Sequence, residues 1–197
     1  MTPTDLDDAV AAMLAGGVVA IPTDTVYGLA AAAEHTGAVE AMFRLKNRPV
    51  DVKVAVLVAD VDQARQFVDL GAAGEALAAR FWPGPLTIVA PRHVIGSLAA
   101  GDDETLGVRC PDDAVARTLA ERVGPIAATS ANLHGDDPPA RAADVAELFA
   151  DVDVVIDDGP RPGAASTVVS VVGDSPVVLR EGPISQADID AVVGADS

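Results

Sequence analysis

The stretch VVAIPTDTVYG, residues 18–28, decides the fold of this 197-residue chain. Its first four residues are apolar and mostly β-branched, and Pro22 ends the run, which predicts a short buried strand. A polar loop at 23–28 follows directly. In α/β folds ligands bind where buried strands end, so this loop is the first place to expect a site.

Helical and strand patterns alternate beyond this stretch. Thr4 is a predicted N-cap for a helix that runs to Leu14. Thr36 is a predicted N-cap for a helix that passes through Leu45 and ends in residues 46–48, with Pro49 as its terminator. Further helices are predicted at 61–69, 72–82, 112–123, 140–150 and 186–193, and further strands at 54–58, 86–90, 105–110, 126–129, 152–156, 166–172 and 177–180. This order predicts a single-domain α/β fold around a mixed sheet.

Composition and charge argue against several classes of protein. Lys and Arg number 13 against 30 Asp and Glu, a net charge of −17, which disfavours tight binding to duplex DNA. The single cysteine, Cys110, excludes an intramolecular disulfide and a cysteine-based zinc site. The acidic N-terminus has no signal-peptide pattern, and no apolar run approaches the roughly 20 residues of a membrane-spanning helix. We therefore expect a cytoplasmic protein with no membrane partner.

The strongest local fingerprints of chemistry are absent from the sequence. It contains no G-x-x-x-x-G-K-[ST], G-x-G-x-x-G, H-E-x-x-H or G-x-S-x-G motif. A P-loop kinase and a dinucleotide-dependent dehydrogenase are therefore disfavoured. His35, His93 and His134 are dispersed and adjoin no cysteine or carboxylate cluster, so we expect no metal site built on them.

Two early clusters have both a functional and a structural interpretation. Thr23, Asp24 and Thr25 offer hydroxyl and backbone groups to a small polar ligand, or form an ordinary turn that caps the strand. Lys46 and Arg48 suit a polyphosphate or a carboxylate, because Arg offers a bidentate fork and Lys a point charge. The same two cations also suit the last turn of any helix. Spacing alone leaves both interpretations open.

The later clusters are equally ambiguous on spacing alone. Strand alternation places Thr105, Gly107 and Arg109 on one face. An inward-facing Arg needs an anionic partner, either a ligand or an Asp of this acidic chain. Ser130 and Asn132 follow a predicted strand, where they either meet a ligand or form a cap or tight turn.

Seven motifs taken in chain order carry a resemblance that none of them carries alone. They are IPTDTVYGLA (21–30), LKNRP (45–49), FWPGPLTIV (81–89), LGVRCP (106–111), ATSANLHG (128–135), STVV (166–169) and VLREG (178–182). Over about residues 5–183 the chain resembles the YrdC/Sua5 family of threonylcarbamoyl-AMP synthases. The resemblance implies a single YrdC-like domain over 1–197, with a helix or tail at 184–197. It also implies a twisted mixed sheet flanked by helices, with a ligand cleft lined by strand and helix ends.

The resemblance further implies a nucleotidyltransferase activity. Members of the family make threonylcarbamoyl-adenylate and pyrophosphate from L-threonine, bicarbonate and ATP, for the t6A modification of tRNA. The implied cofactor is Mg²⁺, held mainly through the ATP phosphates. The implied partner is the downstream tRNA threonylcarbamoyl transferase complex. Direct binding of tRNA is expected to be weak or absent, because the acidic chain has no evident basic stripe.

Site residues follow from the family motifs position by position. Lys46 and Arg48 match the family's K-x-R pair, and are implied to be catalytic and to hold the ATP phosphates. Ser130 and Asn132 match its S-x-N pair on the same phosphates. The remaining positions implied to bind ATP are Thr105, Pro138 and Arg180. Those implied to bind L-threonine are Thr25, Arg109, Ala128 and Ser166.

The chain departs from the family pattern at two positions. Lys53 stands where a Pro is usual, and Leu57 where a His on the threonine side is common. These departures mark a subtype and bear on threonine affinity. Two other functions stay open at this point. One is a non-catalytic RNA- or nucleotide-binding module on the same fold, and the other is an adenylating or carbamoylating enzyme that uses another amino acid or acid.

Overall fold

Strands and helices alternate along the chain. The computed structural model describes residues 3–47, 53–93, 98–102, 104–133 and 136–194. Its strands are β1 (Val19–Ile21), β2 (Gly28–Ala32), β3 (Ala55–Leu57), β4 (Leu86–Pro91), β5 (Thr105–Arg109), β6 (Ile126–Ser130), β7 (Val154–Val155), β8 (Thr167–Ser170) and β9 (Val177–Arg180). Its helices are α1 (Pro3–Leu14), α2 (Thr36–Leu45), α3 (Val61–Arg65), α4 (Gly71–Phe81), α5 (Ala114–Val123), α6 (Ala142–Leu148) and α7 (Gln186–Val193). Within these ranges no helix has the length and apolar character needed to cross a bilayer.

The strands form one mixed sheet, which confirms the predicted fold class. Their order is β7-β1-β2-β6-β3-β5-β4-β8-β9. The pairs β1/β7, β3/β5 and β4/β8 are parallel, and the other neighbours are antiparallel. Because β8 pairs with β4 and β9 pairs with β8, the end of the chain lies beside its middle.

Helices cover both faces of this sheet, as β2 illustrates. Leu29 and Ala31 pack in a core with residues of α2, α4 and α7, whereas Ala30 packs in a second core with residues of α1 and α5. This division follows from strand geometry, since successive side chains point to opposite faces. Around β2, both faces of the sheet are therefore occupied by apolar packing.

Strand β2 is the main element that the sequence patterns do not predict. Its sequence, GLAAA at 28–32, has no β-branched or aromatic residue and thus little of the usual strand signal. The strand forms because it pairs on both sides, with β1 and with β6. Four of its five residues are buried, so packing between two helical layers favours small side chains there. Tertiary context overrides propensity at this position.

The ends of the first two helices differ from the predicted caps. Helix α1 begins at Pro3, so Thr4 lies in its first turn and is not the N-cap. Proline suits this first helical position because its missing N–H group would be unpaired anyway. Helix α2 is capped by His35, whose Nδ1 accepts from the backbone N–H of Ala38 at 3.4 Å, and not by Thr36. It ends at Leu45, and the predicted terminator Pro49 lies outside the described residues.

Several predicted elements are shorter in the structure, among them the helix predicted at 140–150, which spans Ala142–Leu148, and the strand predicted at 166–172, which spans Thr167–Ser170. The helix predicted at 61–69 ends at Arg65, and Val68 instead forms an isolated antiparallel bridge with Arg92. The strand predicted at 152–156 pairs only over Val154–Val155, at the edge of the sheet beside β1.

Candidate active site

A cavity of about 340 Å³ lies among the β1–β2 loop, the face of β5 and the ends of β6 and β9. Most of the predicted site residues line it, namely Thr25, Thr105, Arg109, Ala128, Ser130, Ser166 and Arg180. They come from segments that are up to 155 positions apart in the sequence (180 − 25 = 155). The sheet order brings these segments together.

Strand β5 presents one polar face to the cavity, as strand alternation predicts. Thr105, Gly107 and Arg109 line the cavity, whereas Leu106 and Val108 lie in the apolar core. The alternation prediction is therefore confirmed for this strand.

The anionic partner of Arg109 is Asp24 of the same chain. Only 6% of the residue is exposed, and its Nη2 donates to Oδ1 of Asp24 at 2.5 Å. Nη1 donates to the hydroxyl of Thr25 at 3.1 Å, and Nε to the carbonyl of Gly84 at 3.1 Å. Three of the five guanidinium N–H groups are accounted for by these bonds, and the side chain still lines the cavity. The guanidinium is thus fixed in place while it faces the cavity.

The loop between β1 and β2 is held in one shape by hydroxyl groups. The Thr23 hydroxyl donates to the carbonyl of Val26 at 2.7 Å and accepts from the backbone N–H of Val26 at 3.2 Å. The hydroxyls of Thr23 and Thr25 lie 2.9 Å apart. Since the Thr23 proton goes to Val26, the Thr25 hydroxyl donates to Thr23 and leaves its oxygen to accept from Arg109. The Thr23 hydroxyl therefore stabilises the turn of the backbone, and the Thr25 hydroxyl links this turn to Arg109.

Lys46 meets the end of β6, as expected for the two matched motif pairs. It follows the last residue of α2, and only 2% of the residue is exposed. Its Nζ contacts the carbonyl oxygen of Ser130, and it lies 3.2 Å from Oγ1 of Thr129 and 3.3 Å from Oδ1 of Asn132. The Ser130 hydroxyl in turn donates to Asn132. A buried ammonium, a hydroxyl and an amide thus converge beside the cavity wall formed by Thr129 and Ser130.

Of two further predicted ATP-binding residues, one is not described by the structure and the other does not line the cavity. Arg48 lies outside the described residues. Pro138 is described but is not among the residues that line the cavity. Lys46 and Asn132 are not lining residues either, but they contact Thr129 and Ser130, which line the cavity.

The far side of the cavity is built by β8 and β9. Ser166 is 5% exposed, and its Oγ lies 2.9 Å from the hydroxyl of Thr87. Arg180, at the end of β9, donates through Nη2 to the carbonyl and the hydroxyl of Ser166, at 2.8 Å and 3.1 Å. The last strand therefore supplies a cation to the cavity and fixes Ser166 beside it.

Lys53 and Leu57, the two departures from the family pattern, both line the cavity. The Lys53 ammonium forms an ion pair with Asp102, whose Oδ1 also accepts from the hydroxyl of Thr105 at 3.1 Å. These contacts hold the pKa of Asp102 well below its usual range. The contact with the Lys53 ammonium contributes most, and the hydrogen bond from the backbone N–H of Thr105 contributes next. The sequence shows Lys53 only as a departure from the family pattern. Its position in the cavity wall and its ion pair with Asp102 are visible only in the fold.

Arg161 is a residue near the site that sequence analysis missed altogether. Its Nε donates to the carbonyl of Thr23 at 2.9 Å, and its Nη2 contacts Oδ2 of Asp113 at 3.2 Å. It lies in a Pro-rich loop, and the only signal was an Arg between two prolines at 160 and 162. Such a residue is indistinguishable from a solvent-exposed loop cation until the fold is known.

The described residues offer no ready-made metal centre. In these ranges no group of three or more His, Cys, Asp and Glu side chains is placed to hold an ion. The oxygens near Lys46 are hydroxyl, amide and carbonyl groups, contributed by Thr129, Ser130 and Asn132. Hard cations such as Mg²⁺ accept such ligands, with the remaining ligands supplied by substrate phosphates.

Comparison with known proteins identifies the relatives of the chain. The family model Sua5_yciO_yrdC, described as "Telomere recombination", matches residues 11–182. Threonylcarbamoyl-AMP synthase of Bacillus subtilis (strain 168) is 41% identical over 185 residues, which cover 90% of this chain and 53% of that protein. The protein of the same name from Xanthomonas campestris pv. campestris (strain B100) is 39% identical over 164 residues, 78% of this chain and 85% of that one.

Solved structures that resemble this chain include proteins named Sua5 and YciO, as in the name of the family model. Pyrococcus abyssi Sua5, in its complex with L-threonine, superimposes with a TM-score of 0.90 at 36% identity, covering 96% of this chain and 57% of that one. Escherichia coli YciO superimposes with a TM-score of 0.81 at 25% identity, covering 90% and 89%. The chain spans about half the length of the B. subtilis and P. abyssi proteins.

Proposed function

Because this chain belongs to the Sua5/YciO/YrdC family, we propose that it is a threonylcarbamoyl-AMP synthase. It joins L-threonine, bicarbonate and ATP to give threonylcarbamoyl-adenylate and pyrophosphate. One observation carries the proposal: a single cavity is lined by Arg109 and by the end of β6, against which Lys46 is buried. A site for a carboxylate thereby lies beside a site for phosphates.

The threonine half of the site is formed by Thr25, Arg109, Ala128 and Ser166. Arg109 suits the amino-acid carboxylate, because guanidinium and carboxylate form parallel hydrogen bonds. Thr25 and Ser166 contribute hydroxyl groups to the lining of the same cavity. The P. abyssi relative was solved in complex with L-threonine, and its similarity to this chain supports the assignment. Leu57 replaces polar contacts on this side with an apolar wall.

The ATP half is formed by Lys46, Ser130 and Asn132 on one side and by Thr105 and Arg180 on the other. Arg48 and Pro138 belong to the same proposal on the strength of their motif positions alone. The hydroxyl of Ser130 and the amide oxygen of Asn132 would hold Mg²⁺ together with the ATP phosphates. Bound there, the ion would neutralise charge on those phosphates.

The chain's own residues act by placement and charge neutralisation. Threonine's ammonium group first loses a proton, and the resulting amine combines with bicarbonate to give a carbamate and water. A carbamate oxygen then attacks the α-phosphorus of ATP, and pyrophosphate leaves. Arg109 orients threonine for this attack, and Lys46 stabilises the charge on the phosphates. No covalent bond to the protein is needed at any step.

The wider role of the chain follows from its product. A reactive acyl-adenylate has to be consumed by a tRNA threonylcarbamoyl transferase complex, which we propose as the downstream partner in the cytoplasm. Direct binding to tRNA is weak or absent in this proposal, since the net charge of −17 opposes it. A single domain over 1–197 is supported by the one sheet that joins all described strands.

Pyrophosphate release tests the proposal directly. Purified protein is incubated with Mg-ATP and bicarbonate, with threonine, with serine or without an amino acid, and the adenylate is identified by mass. We expect release that depends on threonine. Release with another amino acid would replace the proposed substrate. Salt-sensitive RNA binding without release from folded protein would favour a binding module instead.

A matched pair of variants on α2 tests the role of Lys46. We expect Lys46→Met to lower the rate of threonine-dependent release by about 100-fold or more, since charge stabilisation at the phosphates is lost. Arg44→Met removes a cation two residues earlier that is exposed and paired with Glu40 at 3.8 Å. This control should retain the wild-type rate. Equal rates for the two variants would contradict the site assignment.

A further inference from the structure

A loop at residues 157–166, here called the strap, connects β7 to β8 and ends at Ser166 in the cavity. It lies directly against the β1–β2 loop. Gly163 is so close to the carbonyl oxygen of Thr25 that a Cβ atom built on it would lie 2.3 Å away. The hydroxyl of Tyr27 donates to the carbonyl of Gly159 at 2.8 Å. Two segments that carry threonine-binding residues are therefore in direct contact.

Arg161, like Tyr27, connects these two segments through its side chain. Nε donates to the carbonyl of Thr23 in the β1–β2 loop at 2.9 Å. Nη1 donates to the carbonyl of Asp158 at 2.6 Å, and Nη2 to the carboxylate of Asp158 at 2.8 Å, both within the strap. One guanidinium thus spans the strap and the loop.

The same guanidinium is anchored to the body of the fold. Its Nη2 lies 3.2 Å from Oδ2 of Asp113, a carboxylate that is 6% exposed. The other oxygen of Asp113 accepts from the backbone N–H of Ala116 and caps α5. A buried carboxylate needs a partner, so Arg161 is held by charge as well as by hydrogen bonds.

We propose that Arg161 is a positioning residue for the threonine half of the site. It does not line the cavity, but it holds Thr25 through the carbonyl of Thr23 and Ser166 through the strap. The inference rests on the proposed function. Thr25 and Ser166 belong to separate segments, so their alignment across one substrate depends on the contact between those segments. Displacement of about 1 Å in such an alignment costs on the order of 100-fold in rate.

The ATP half is expected to respond less to a change at Arg161. Lys46, Ser130 and Asn132 are held by contacts among themselves and with Thr129. Arg161 contributes to none of the bonds described for them. A positioning role for Arg161 therefore predicts that its substitution changes KM for threonine more than KM for ATP.

The test compares Arg161→Met with Arg122→Met in the proposed reaction. Arg122 is a matched control, because it forms an exposed ion pair with Asp7 at 2.7 Å, away from the site. We expect Arg161→Met to raise KM for threonine by about 10-fold or more and to change KM for ATP by less than about 3-fold. Arg161→Lys should recover part of the loss, and Arg122→Met should leave both constants unchanged. Equal changes in both KM values would overturn the proposal.

Amide hydrogen exchange provides a readout that needs no substrate. We expect Arg161→Met to speed exchange at 23–28 and at 157–166 together, and Arg122→Met at neither. Faster exchange in the strap alone would overturn the coupling. Wild-type protein without threonine-dependent release would overturn the proposed function instead, and exchange would still decide the coupling.

Should Arg161→Met fail to fold, Gly163→Ala separates the same segments by its added Cβ, and it should raise KM for threonine selectively. An unchanged KM in that variant would overturn the proposal as well.

Discussion

At the scale of single residues, two arginines in or near the cavity form buried ion pairs with aspartates of the same chain. Arg109 is paired with Asp24, and their side chains are 7% and 13% exposed. Arg161 is paired with Asp113 in a similarly buried setting. Such pairs are neutral overall, so they keep a guanidinium in place without an unpaired charge in the interior. Arg109 thereby remains available to a carboxylate ligand with its orientation already set.

The buried pair predicts a large loss of stability when its carboxylate is removed. Asp24→Ala leaves Arg109 buried without that partner, and we expect a fall of about 3 kcal/mol in the free energy of unfolding. Asp62→Ala is the matched control, because Asp62 is 80% exposed in its pair with Arg65. It should cost less than about 1 kcal/mol. Urea unfolding of both variants measures the difference, and similar losses in the two would contradict the prediction.

At the scale of elements, the end of α2 shows how the backbone delivers a functional side chain. Lys46 follows the helix, and Asn47 then adopts a φ of 50° in the left-handed region. Asparagine tolerates this conformation better than other non-glycine residues. The chain thus turns immediately after Lys46, whose ammonium is buried at the end of β6.

Substitutions at Asn47 test that turn. We expect Asn47→Ala to lower the free energy of unfolding by about 1 kcal/mol, because alanine resists a positive φ. Asn47→Gly should have a much smaller effect, since glycine adopts positive φ readily. Thermal or urea unfolding distinguishes the two. A glycine variant as unstable as the alanine variant would mean that the Asn side chain, and not the backbone conformation, stabilises the turn.

Sequence patterns predicted elements wherever a local signal matched the final packing. Strand β5 is such a case, since its alternation appears directly in the cavity wall. Strand β2 was missed because its alanines gain their strand conformation from two neighbouring strands. For the site, motifs predicted Arg109 and Ser166, yet the partner of Arg109 was open between a ligand and an Asp. Asp24 and Arg161 act through contacts across 85 and 138 positions, which local patterns do not encode.

At the scale of the whole molecule, charge is distributed unevenly. The chain carries a net charge of −17, yet Lys53, Arg109 and Arg180 all line one cavity, and Lys46 adjoins it. Asp102 and Asp24, which pair with Lys53 and Arg109, are not among the lining residues, so the charged groups that line the cavity are cationic. Such a lining can attract an anionic ligand against the sign of the whole protein. The proposed substrate ATP, as a polyphosphate, has the charge that such a lining attracts.

Cys110 reports on the integrity of the whole fold. It is 2% exposed, and burial raises the pKa of its thiol to about 11. At neutral pH the native thiol is therefore protonated as well as inaccessible, and only the thiolate reacts with alkylating reagents. We expect iodoacetamide to modify native protein far more slowly than protein in denaturing urea. Mass spectrometry measures both rates, and equal rates would contradict the burial of this residue.

The pairing of β8 with β4, and of β9 with β8, has a consequence for synthesis of the protein. A chain emerging from the ribosome contains Lys46 and Arg109 long before Ser166 and Arg180. The wall that these last two residues form arises only when β9, which ends at residue 180, can reach the middle of the sheet. A nascent polypeptide therefore lacks this wall of the cavity until residue 180 has been synthesised, and a chain terminated before that residue never forms it.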